Sequence, residues 1–405
     1  MRTIFESDST PKADGFRMPA EFDPQDRVWM GWPTRTDTWS FGAKPAQEQY
    51  ANIARAIAEF TPVTMCANER DYANCKAVFE EDENVRVIEM TTDDAWFRDT
   101  GATFVVNDTG EKRAVNWHFN AYGGLVDGLY FPWRADDEIA QKIAEIAGVK
   151  AYRPDYVILE GGSITVDGEG TLVVTDQCLL SPGRTCSALV ADEERGDTIW
   201  PKCARKFEPW SEELREYMNE ELKKYLGVEK VIWVKEGIDP EETNGHIDDV
   251  ATFIAPGVMA CIWSDDPEYP FYQQCHDAYE TLSNATDAKG RKLKVYKLPM
   301  PVEPVYMDQA SCDSIDIDEN AEPRVADEPL IASYMNYLVT NGGIITPQYG
   351  DENDDLAVET LQKIYDETWG EGAFKVVGVK TTEQVVFGGG NIHCITQQEP
   401  CKCAK

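Results

Sequence analysis

Five short stretches of the sequence share one pattern, in which a polar or glycine-rich turn runs directly into an apolar or β-branched segment. They read RDTGATF (residues 98–104), EGGSIT (160–165), NGHIDD (244–249), NGGII (341–345) and GGGNIHC (388–394). Glycine-rich turns are common in α/β proteins, but five similar ones in one chain indicate a repeated unit. The pattern therefore favours a cyclic repeat whose turns converge on one axis.

Helical and strand patterns alternate from end to end between these turns. Apolar residues at helical spacing predict helices near 50–60, 139–146, 214–225, 331–338 and 361–365, with Asp136 and Ser211 as the N-caps of the second and third. Short apolar runs predict strands at 63–66, 85–89, 103–106, 171–175, 231–234, 258–262, 294–298 and 392–396. This order predicts an α/β or α+β fold.

The charge balance of the 405-residue chain excludes some classes of partner. It carries 73 Asp+Glu against 38 Lys+Arg, for a formal net charge of -35. A nucleic-acid binder needs a basic surface, and an anionic membrane would repel this chain. No apolar run approaches the ~20 residues of a membrane helix. The acidic surface serves either solubility or attraction of a cationic substrate.

The 11 cysteines are scattered without the spacing of a disulfide framework, which predicts free thiols in a reducing, cytoplasmic compartment. Residues 399–405, which include Cys401 and Cys403, are predicted to form a flexible, reduced tail. The chain shows no short metal-binding spacing such as Cys-x-x-Cys, so no metal is expected.

The turns contain side chains suited to nucleophilic chemistry. Cys394 follows three glycines, and a thiol needs a nearby base or cation to become a nucleophile. On an extended strand His246 and Asp248 would face the same side, which predicts an imidazole and a carboxylate in one pocket. His393 is adjacent to Cys394, but on a strand it would point to the opposite face, so it is not expected to be the partner.

Two further acids indicate the substrate. Asp99 and Glu160 each stand in a turn, where an acid commonly bonds local backbone. If Asp99 and Asp248 converge, however, they form a double carboxylate clamp that matches a planar guanidinium. Trp96 could then stack on the cation or flank its alkyl chain.

Six blocks of sequence resemble the agmatine deiminases, within the wider superfamily of guanidino-group-modifying enzymes. The blocks are MPAE (18–21), WMGWP (29–33), WFRDTG (96–101), LEGGS (159–163), TNGHID (243–248) and GGGNIHCITQQ (388–398). They span nearly the whole chain in order. The resemblance implies a five-bladed α/β propeller, or pentein, with pseudo-fivefold repeats and the active site on the central axis. It also implies one catalytic domain over residues 1–398.

The resemblance also implies an activity, which is hydrolysis of agmatine to N-carbamoylputrescine and ammonia in putrescine synthesis. It implies a homodimer and no organic cofactor. The implied roles are nucleophile for Cys394, general acid/base for His246, guanidinium clamp for Asp99 and Asp248, histidine orientation for Glu160, substrate pocket for Trp96 and Thr243, and recognition of the far amine for Asp37.

Three alternatives remain open from sequence. One is a deiminase of free arginine or peptidyl-arginine. Another is a binder of guanidino compounds without catalysis, although a binder has no use for the thiol. The third is a structural protein with a Cys/His metal site.

Overall fold

Five small mixed β-sheets organise the chain. The computed structural model describes residues 3–185, 207–238, 242–317, 324–326, 328–381 and 384–402. The strands are β1 Thr3–Phe5, β2 Gln25–Gly31, β3 Val63–Ala67, β4 Val85–Glu89, β5 Thr103–Val106, β6 Lys112–Val115, β7 Ala151–Arg153, β8 Thr165–Val166, β9 Thr171–Thr175, β10 Lys230–Val234, β11 Ala251–Ala255, β12 Val258–Trp263, β13 Lys294–Pro299, β14 Leu338–Val339, β15 Gly343–Gln348, β16 Lys375–Lys380 and β17 Thr396–Pro400.

Helices separate the strands along the chain. The α-helices of the described ranges are α1 Lys44–Ala58, α2 Glu69–Val78, α3 Phe97–Thr100, α4 Gly124–Asp127, α5 Arg134–Asp137, α6 Ile139–Ala147, α7 Asp176–Leu179, α8 Glu212–Leu226, α9 Tyr272–Asn284, α10 Gln309–Asp313 and α11 Asp354–Trp369. Short 3₁₀ helices span Ser40–Ala43, Gly161–Ser163, Ile247–Asp249 and Val386–Gly388. No helix in these ranges is long and apolar enough to cross a lipid bilayer.

Every sheet contains the same three-strand arrangement, an antiparallel pair followed by a parallel strand. The five sets are β5-β6-β7, β8-β9-β10, β11-β12-β13, β14-β15-β16 and β17-β2-β3. A parallel pair requires a crossover connection, and in the five sets it contains α6, α8, α9, α11 and α1, respectively. The chain is therefore built from five ββαβ units, and pairing of β17 with β2 joins its two ends in one of them.

Most predicted elements are present. The helical patterns near 50–60, 139–146, 214–225 and 361–365 lie in α1, α6, α8 and α11. Ser211 is the N-cap of α8, since its Oγ accepts the backbone N–H of Leu214 at 3.2 Å. Asp136 is not the N-cap of α6; it lies in α5, and its carboxylate accepts the N–H of Asp93 at 2.7 Å.

Two predicted elements are wrong, and both are irregular segments stabilised by polar side chains. The helix predicted at 331–338 is absent, because Ser333 bonds the carbonyl of Asp249 and Asn336 bonds backbone of residue 393. Such side-chain bonds compete with helical ones. The strand predicted at 392–396 is instead a turn, in which the N–H of Thr396 donates to the carbonyl of His393 at 3.1 Å.

One of the five predicted turns runs into a strand, β15, as expected, but it holds a different position in its unit from the other four. Residues 341–345 do not precede the first strand of a unit, because they lie at the hairpin between β14 and β15. The turn that precedes β14 contains Ser333 and Asn336 instead. Four of the predicted turns thus occupy equivalent positions, and the fifth position is taken by a segment without glycine.

The predicted boundary of the flexible tail is wrong by at least two residues. Strand β17 extends to Pro400, and Glu399 is only 4% exposed. Its carboxylate accepts the indole N–H of Trp29 at 2.9 Å and lies 2.6 Å from Nζ of Lys112. Cys401 is disulfide-bonded, which corrects the prediction of a reduced terminus, and Cys403 lies outside the described residues.

We expect Glu399→Gln to lower the free energy of unfolding by about 2–4 kcal/mol, because it leaves the ammonium of Lys112 buried beside a neutral amide. Lys112 is 3% exposed, and its other acidic partner, Asp26, is 42% exposed. Asp26→Asn is therefore the matched control and should cost less than about 1 kcal/mol. Denaturant titration of both variants measures the difference. Equal losses would contradict the structural role of Glu399.

Candidate active site

Gly162 marks the point where three of the predicted turns meet. A methyl group on its Cα would lie 2.6 Å from Nδ1 of His246, 2.9 Å from Oδ2 of Asp248 and 2.9 Å from Oδ1 of Asp99. The N–H of Gly162 donates to the same Oδ1 of Asp99 at 2.8 Å. Only glycine leaves room for this approach, which explains the residue type in the EGGSIT stretch.

Cys394 lies beside this cluster and is 4% exposed. Its Sγ is 3.8 Å from Oδ2 of Asp248 and 3.1 Å from Nδ2 of Asn336. Oδ1 of Asn336 accepts the backbone N–H groups of His393 at 2.9 Å and of Cys394 at 3.3 Å. Asn336, which the sequence reasoning missed, therefore holds the cysteine in place through both ends of its amide.

The environment of Cys394 keeps the thiol protonated in the absence of a ligand. Burial raises the pKa of Cys394 well above its ordinary value, and the carboxylates of Asp248, Asp249 and Asp99 raise it further. Each effect disfavours a thiolate. A cation bound among these carboxylates would oppose the second effect.

His246 is fully buried between two acids. Its Nδ1 is 3.8 Å from Oδ1 of Asp99, and its Nε2 is 3.9 Å from Oε2 of Glu160. Burial lowers the pKa of His246, but Asp99, Cys178 and Glu160 outweigh it and hold that pKa well above its ordinary value. The backbone here is not the extended strand that was assumed in grouping His246 with Asp248, because a 3₁₀ helix starts at Ile247. The carboxylate of Asp248 nevertheless approaches Gly162 beside the imidazole of His246.

Glu160 has a second partner that sequence reasoning missed. Its Oε1 lies 2.7 Å from Nε of Arg184, and both side chains are fully buried. Burial raises the pKa of Glu160, whereas Arg184 and then His246 lower it, so the net shift is downward. Nη2 of Arg184 also donates to the carbonyl of Thr243 at 3.0 Å, and Oγ1 of Thr243 accepts the N–H of His246 at 3.3 Å. Thr243 thus supports the histidine turn.

His393 was wrongly predicted to face away from the site. Its Nδ1 lies 2.8 Å from Oδ2 of Asp248, and its Nε2 lies 2.9 Å from Oε1 of Glu21. Glu21 in turn is 3.2 Å from Nη1 of Arg98. Burial and Arg98 lower the pKa of His393, but Glu21 and Asp248 raise it overall. His393 therefore orients the carboxylate that approaches Cys394.

Trp96 stands next to the thiol and is held by Asp94. The carboxylate of Asp94 accepts the indole N–H groups of Trp39 at 2.9 Å and of Trp96 at 3.1 Å, and the two rings stack with centroids 5.2 Å apart. A methyl group on Gly390 would lie 2.6 Å from Trp96 and 3.2 Å from Sγ of Cys394. The indole is therefore positioned to flank a ligand at the sulfur.

A cavity of about 680 Å³ adjoins this cluster and is bounded by Trp96, Tyr122 and Gly388. Tyr122 connects the two, since its hydroxyl donates to Oδ2 of Asp99 at 2.9 Å. Among the described lining residues the acids are Asp37, Asp94, Asp127, Glu242 and Glu328, and the basic residue is Arg324. Arg324 already pairs with Glu242 and donates to the carbonyl of Gly388 at 2.7 Å. The cavity suits a ligand with positive charge.

Asp37 lines this cavity, but it has a cationic partner of its own. Its Oδ1 accepts the Nε–H of Arg35 at 2.9 Å. Recognition of a distant amine by Asp37 therefore stays a prediction.

Two buried groups within the described ranges have spacing suited to a metal ion, namely Glu160 with Cys178 and His246, and Asp248 with Asp249 and Cys394. In the first group, Oε1 of Glu160 already pairs with Nε of Arg184 at 2.7 Å.

Comparisons with known proteins match nearly the whole chain. The Porphyromonas-type peptidyl-arginine deiminase family matches residues 17–192 and 211–400. A protein of Streptococcus mutans serotype c is 52% identical over 394 residues, covering 97% of this chain and 98% of its own. The agmatine deiminase of Pseudomonas aeruginosa strain LESB58 is 46% identical over 392 residues, 97% of each chain.

Solved structures match the fold over its whole length. The agmatine deiminase of Enterococcus faecalis, described as catalysing its reaction, superposes with a TM-score of 0.86 at 50% identity and covers 97% of this chain and 98% of its own. A substrate-bound agmatine deiminase of C. jejuni, in which a serine replaces one cysteine, superposes with a TM-score of 0.73 at 23% identity, covering 95% and 96%. The latter supports the fold alone.

Asp99→Asn should stabilise the protein at neutral pH. The pKa of Asp99 is raised to about 6, because burial and the charge of Asp248 together outweigh the opposing charge of His246. Because the folded pKa lies above the unfolded one, stability is lost as pH rises through about 4 to 6. We expect the variant to gain roughly 1–3 kcal/mol at pH 7.5 and nothing below about pH 4. Denaturant titration across this pH range measures the free energy of unfolding of both proteins. A variant less stable than the natural protein at pH 7.5 would contradict the predicted direction.

Proposed function

This chain belongs to the Porphyromonas-type peptidyl-arginine deiminase family, and we propose from that premise that it hydrolyses agmatine to N-carbamoylputrescine and ammonia. The observation that carries the proposal is a buried thiol, Cys394, whose Sγ lies 3.8 Å from the carboxylate of Asp248, in a cluster that adjoins an acid-lined cavity through Trp96. Relatives that share 46–50% of their residues with this chain over nearly its full length are agmatine deiminases.

We propose that the five ββαβ units form a five-bladed α/β propeller with pseudo-fivefold repeats, in a single catalytic domain. The common strand order of the five sheets supports this arrangement. The meeting of the turns at Gly162 and Cys394 supports an active site on the central axis.

Substrate binding uses Asp99 and Asp248. A guanidinium is planar, permanently charged and rich in donors, so two carboxylates can bind it as a cation. Both carboxylates converge on Gly162, and one of them lies beside the sulfur. Trp96 flanks the flat group. Binding in this position holds the central carbon near Sγ of Cys394, which supplies the proximity that a poorly electrophilic carbon needs.

The bound cation also activates the nucleophile. In the free protein, burial and three carboxylates raise the pKa of Cys394. A guanidinium between those carboxylates offsets their charge, which favours the thiolate when substrate is present. The substrate therefore provides the positive charge that other cysteine enzymes obtain from a neighbouring protonated base, such as an imidazolium.

The reaction then proceeds in two halves. The thiol of Cys394 loses its proton to solvent, and the thiolate adds to the guanidinium carbon. His246 donates a proton to one terminal nitrogen, and that nitrogen leaves as ammonia. An amidino-thioether remains on Cys394. His246, now neutral, removes a proton from water, and the hydroxide adds to the same carbon. The C–S bond then breaks, and the hydroxyl proton passes to the departing sulfur, which restores the thiol. The product is the ureido compound. Glu160 and Arg184 hold the imidazole in position during both proton transfers.

The cavity favours agmatine over free arginine. The carboxylate of arginine would meet several acids, whereas the basic lining residue of the described part, Arg324, is paired with Glu242. Agmatine carries the amine that arginine also has, but it lacks the carboxylate. Of the acids, Asp37 is our candidate for binding the amine. We further propose a cytoplasmic homodimer that acts without metal or organic cofactor in putrescine and polyamine synthesis, as the family resemblance implies.

The direct test measures ammonia and N-carbamoylputrescine released from agmatine, beside free arginine and an arginine peptide. We expect release from agmatine, with kcat lowered by at least about 10³-fold in Cys394→Ala because the covalent route is lost. Cys75→Ala is the matched control and should retain activity, since Cys75 lies in α2 outside the site. Release from arginine instead would overturn the substrate, and unchanged turnover by Cys394→Ala would overturn the mechanism.

Gly162→Ala should remove activity while the protein stays folded. The added methyl group would lie 2.6–2.9 Å from atoms of His246, Asp248 and Asp99 and would push them apart. Misplacement of reacting groups by about 1 Å costs on the order of 100-fold in rate, and we expect at least that loss in kcat/KM. Gly148→Ala is the control: its methyl group lies in open space, and its left-handed backbone (φ 72°) costs roughly 1–2 kcal/mol of stability but should leave kcat/KM unchanged. Near-normal kcat/KM for Gly162→Ala would contradict the convergence.

A further inference from the structure

A second cleft of about 480 Å³ lies apart from the candidate active site. Its walls come from the β8–β9 hairpin at Asp167, the end of α8 at Gly227, the segment that contains Arg17 and Asp23, and Trp369 of α11. None of its lining residues takes part in the cluster around Cys394. The cleft therefore has no role in the proposed hydrolysis.

Asp167 is the first sign that a ligand belongs here. The residue is 1% exposed, and its Oδ1 accepts the N–H groups of Glu169 and Thr171, both at 2.8 Å. Its Oδ2 is buried and has no hydrogen-bond partner. A buried acceptor without a partner costs about 1–3 kcal/mol, and more when it is charged. A donor supplied by a ligand in the cleft would remove that cost.

Arg17 is the second sign, and its charge is opposite. Its Nη1 is buried without a hydrogen-bond partner, while its Nη2 lies 3.7 Å from the exposed carboxylate of Asp108. Reciprocal backbone hydrogen bonds with Val106, at 2.9 and 2.8 Å, hold the residue at the cleft. The same cleft thus carries one acceptor and one donor without partners.

The spacing of the acids argues against a metal ion. The groups of His, Cys, Asp and Glu side chains close enough to share a metal ion, within the described ranges, do not include Asp167. An organic molecule that carries both a cationic donor and an anionic acceptor fits better. The cleft also contains an aromatic pair, Phe22 and Trp369, with centroids 5.4 Å apart.

The net charge of the cleft defines the class of molecule further. Its acids are Asp23, Asp167, Glu169 and Glu229, against Arg17 and Lys289. Lys289 is already paired with Glu169 at 3.0 Å. A second positive charge on the ligand would therefore strengthen its binding, and that charge could lie against the ring faces of Phe22 and Trp369.

We propose that this cleft binds a free basic α-amino acid. The α-ammonium donates to Oδ2 of Asp167, the α-carboxylate accepts from Nη1 of Arg17, and the cationic side chain lies along Trp369 near the remaining acids. The proposal stands independently of the hydrolysis of agmatine.

Calorimetric titration of the full-length protein with L-lysine tests the site. We expect one saturable site, and at least about tenfold weaker binding of cadaverine, which lacks the carboxylate, and of 6-aminohexanoate, which lacks the α-ammonium. Asp167→Asn should weaken lysine binding at least tenfold while retaining the Oδ1 contacts of the hairpin, and Arg17→Met should do the same. Asp108→Asn is the control and should bind lysine as the natural protein does.

Three results would overturn the proposal. These are no saturable binding of lysine up to roughly 10 mM, unchanged affinity in Asp167→Asn, or equal affinity for lysine and cadaverine. Agmatine turnover is measured on each variant and should be retained, which shows that the variants are folded. Absence of turnover in the natural protein would count against the proposed function alone.

Discussion

The packing of Asp99, Asp248 and His246 around Gly162 is the constraint on which the rest of the site depends. Carboxylates taken out of water need cationic partners. Here His246 is the partner of Asp99, and His393 is the partner of Asp248. Arg98 and Arg184 neutralise two further acids, Glu21 and Glu160. The carboxylates of this cluster, together with burial, raise the pKa of Cys394 and so oppose its ionisation. The site therefore lacks one positive charge at its centre, which is what a guanidinium brings.

The repeated ββαβ unit explains how distant residues reach one point. Each unit begins with a short turn, so five turns meet without any one of them being long. Pairing of β17 with β2 closes the arrangement and carries Cys394 to the site, where the N–H of Arg98 donates to the carbonyl of Cys394 at 3.0 Å. The proposed nucleophile thus lies directly before the strand that joins the two ends of the chain.

Much of the site followed from sequence because the chemistry-bearing residues stand in turns with a glycine signal. Cys394, His246, Asp99 and Asp248 could be grouped in this way. Asn336 could not, because its turn has no glycine and its apolar neighbours mimic a helix. The orientation of residue 393 was also misjudged, since the side chains there follow turn geometry rather than the alternation of a strand. Ion pairs between distant segments, such as that of Glu160 with Arg184, leave no local pattern.

Rapid acid quenching during agmatine turnover, followed by mass analysis of peptides, tests the central claim most directly. The account predicts a transient adduct with the mass of agmatine minus ammonia on the peptide that contains Cys394, forming and decaying at rates consistent with turnover. Turnover without any adduct on Cys394, or with an adduct confined to another cysteine, would contradict it.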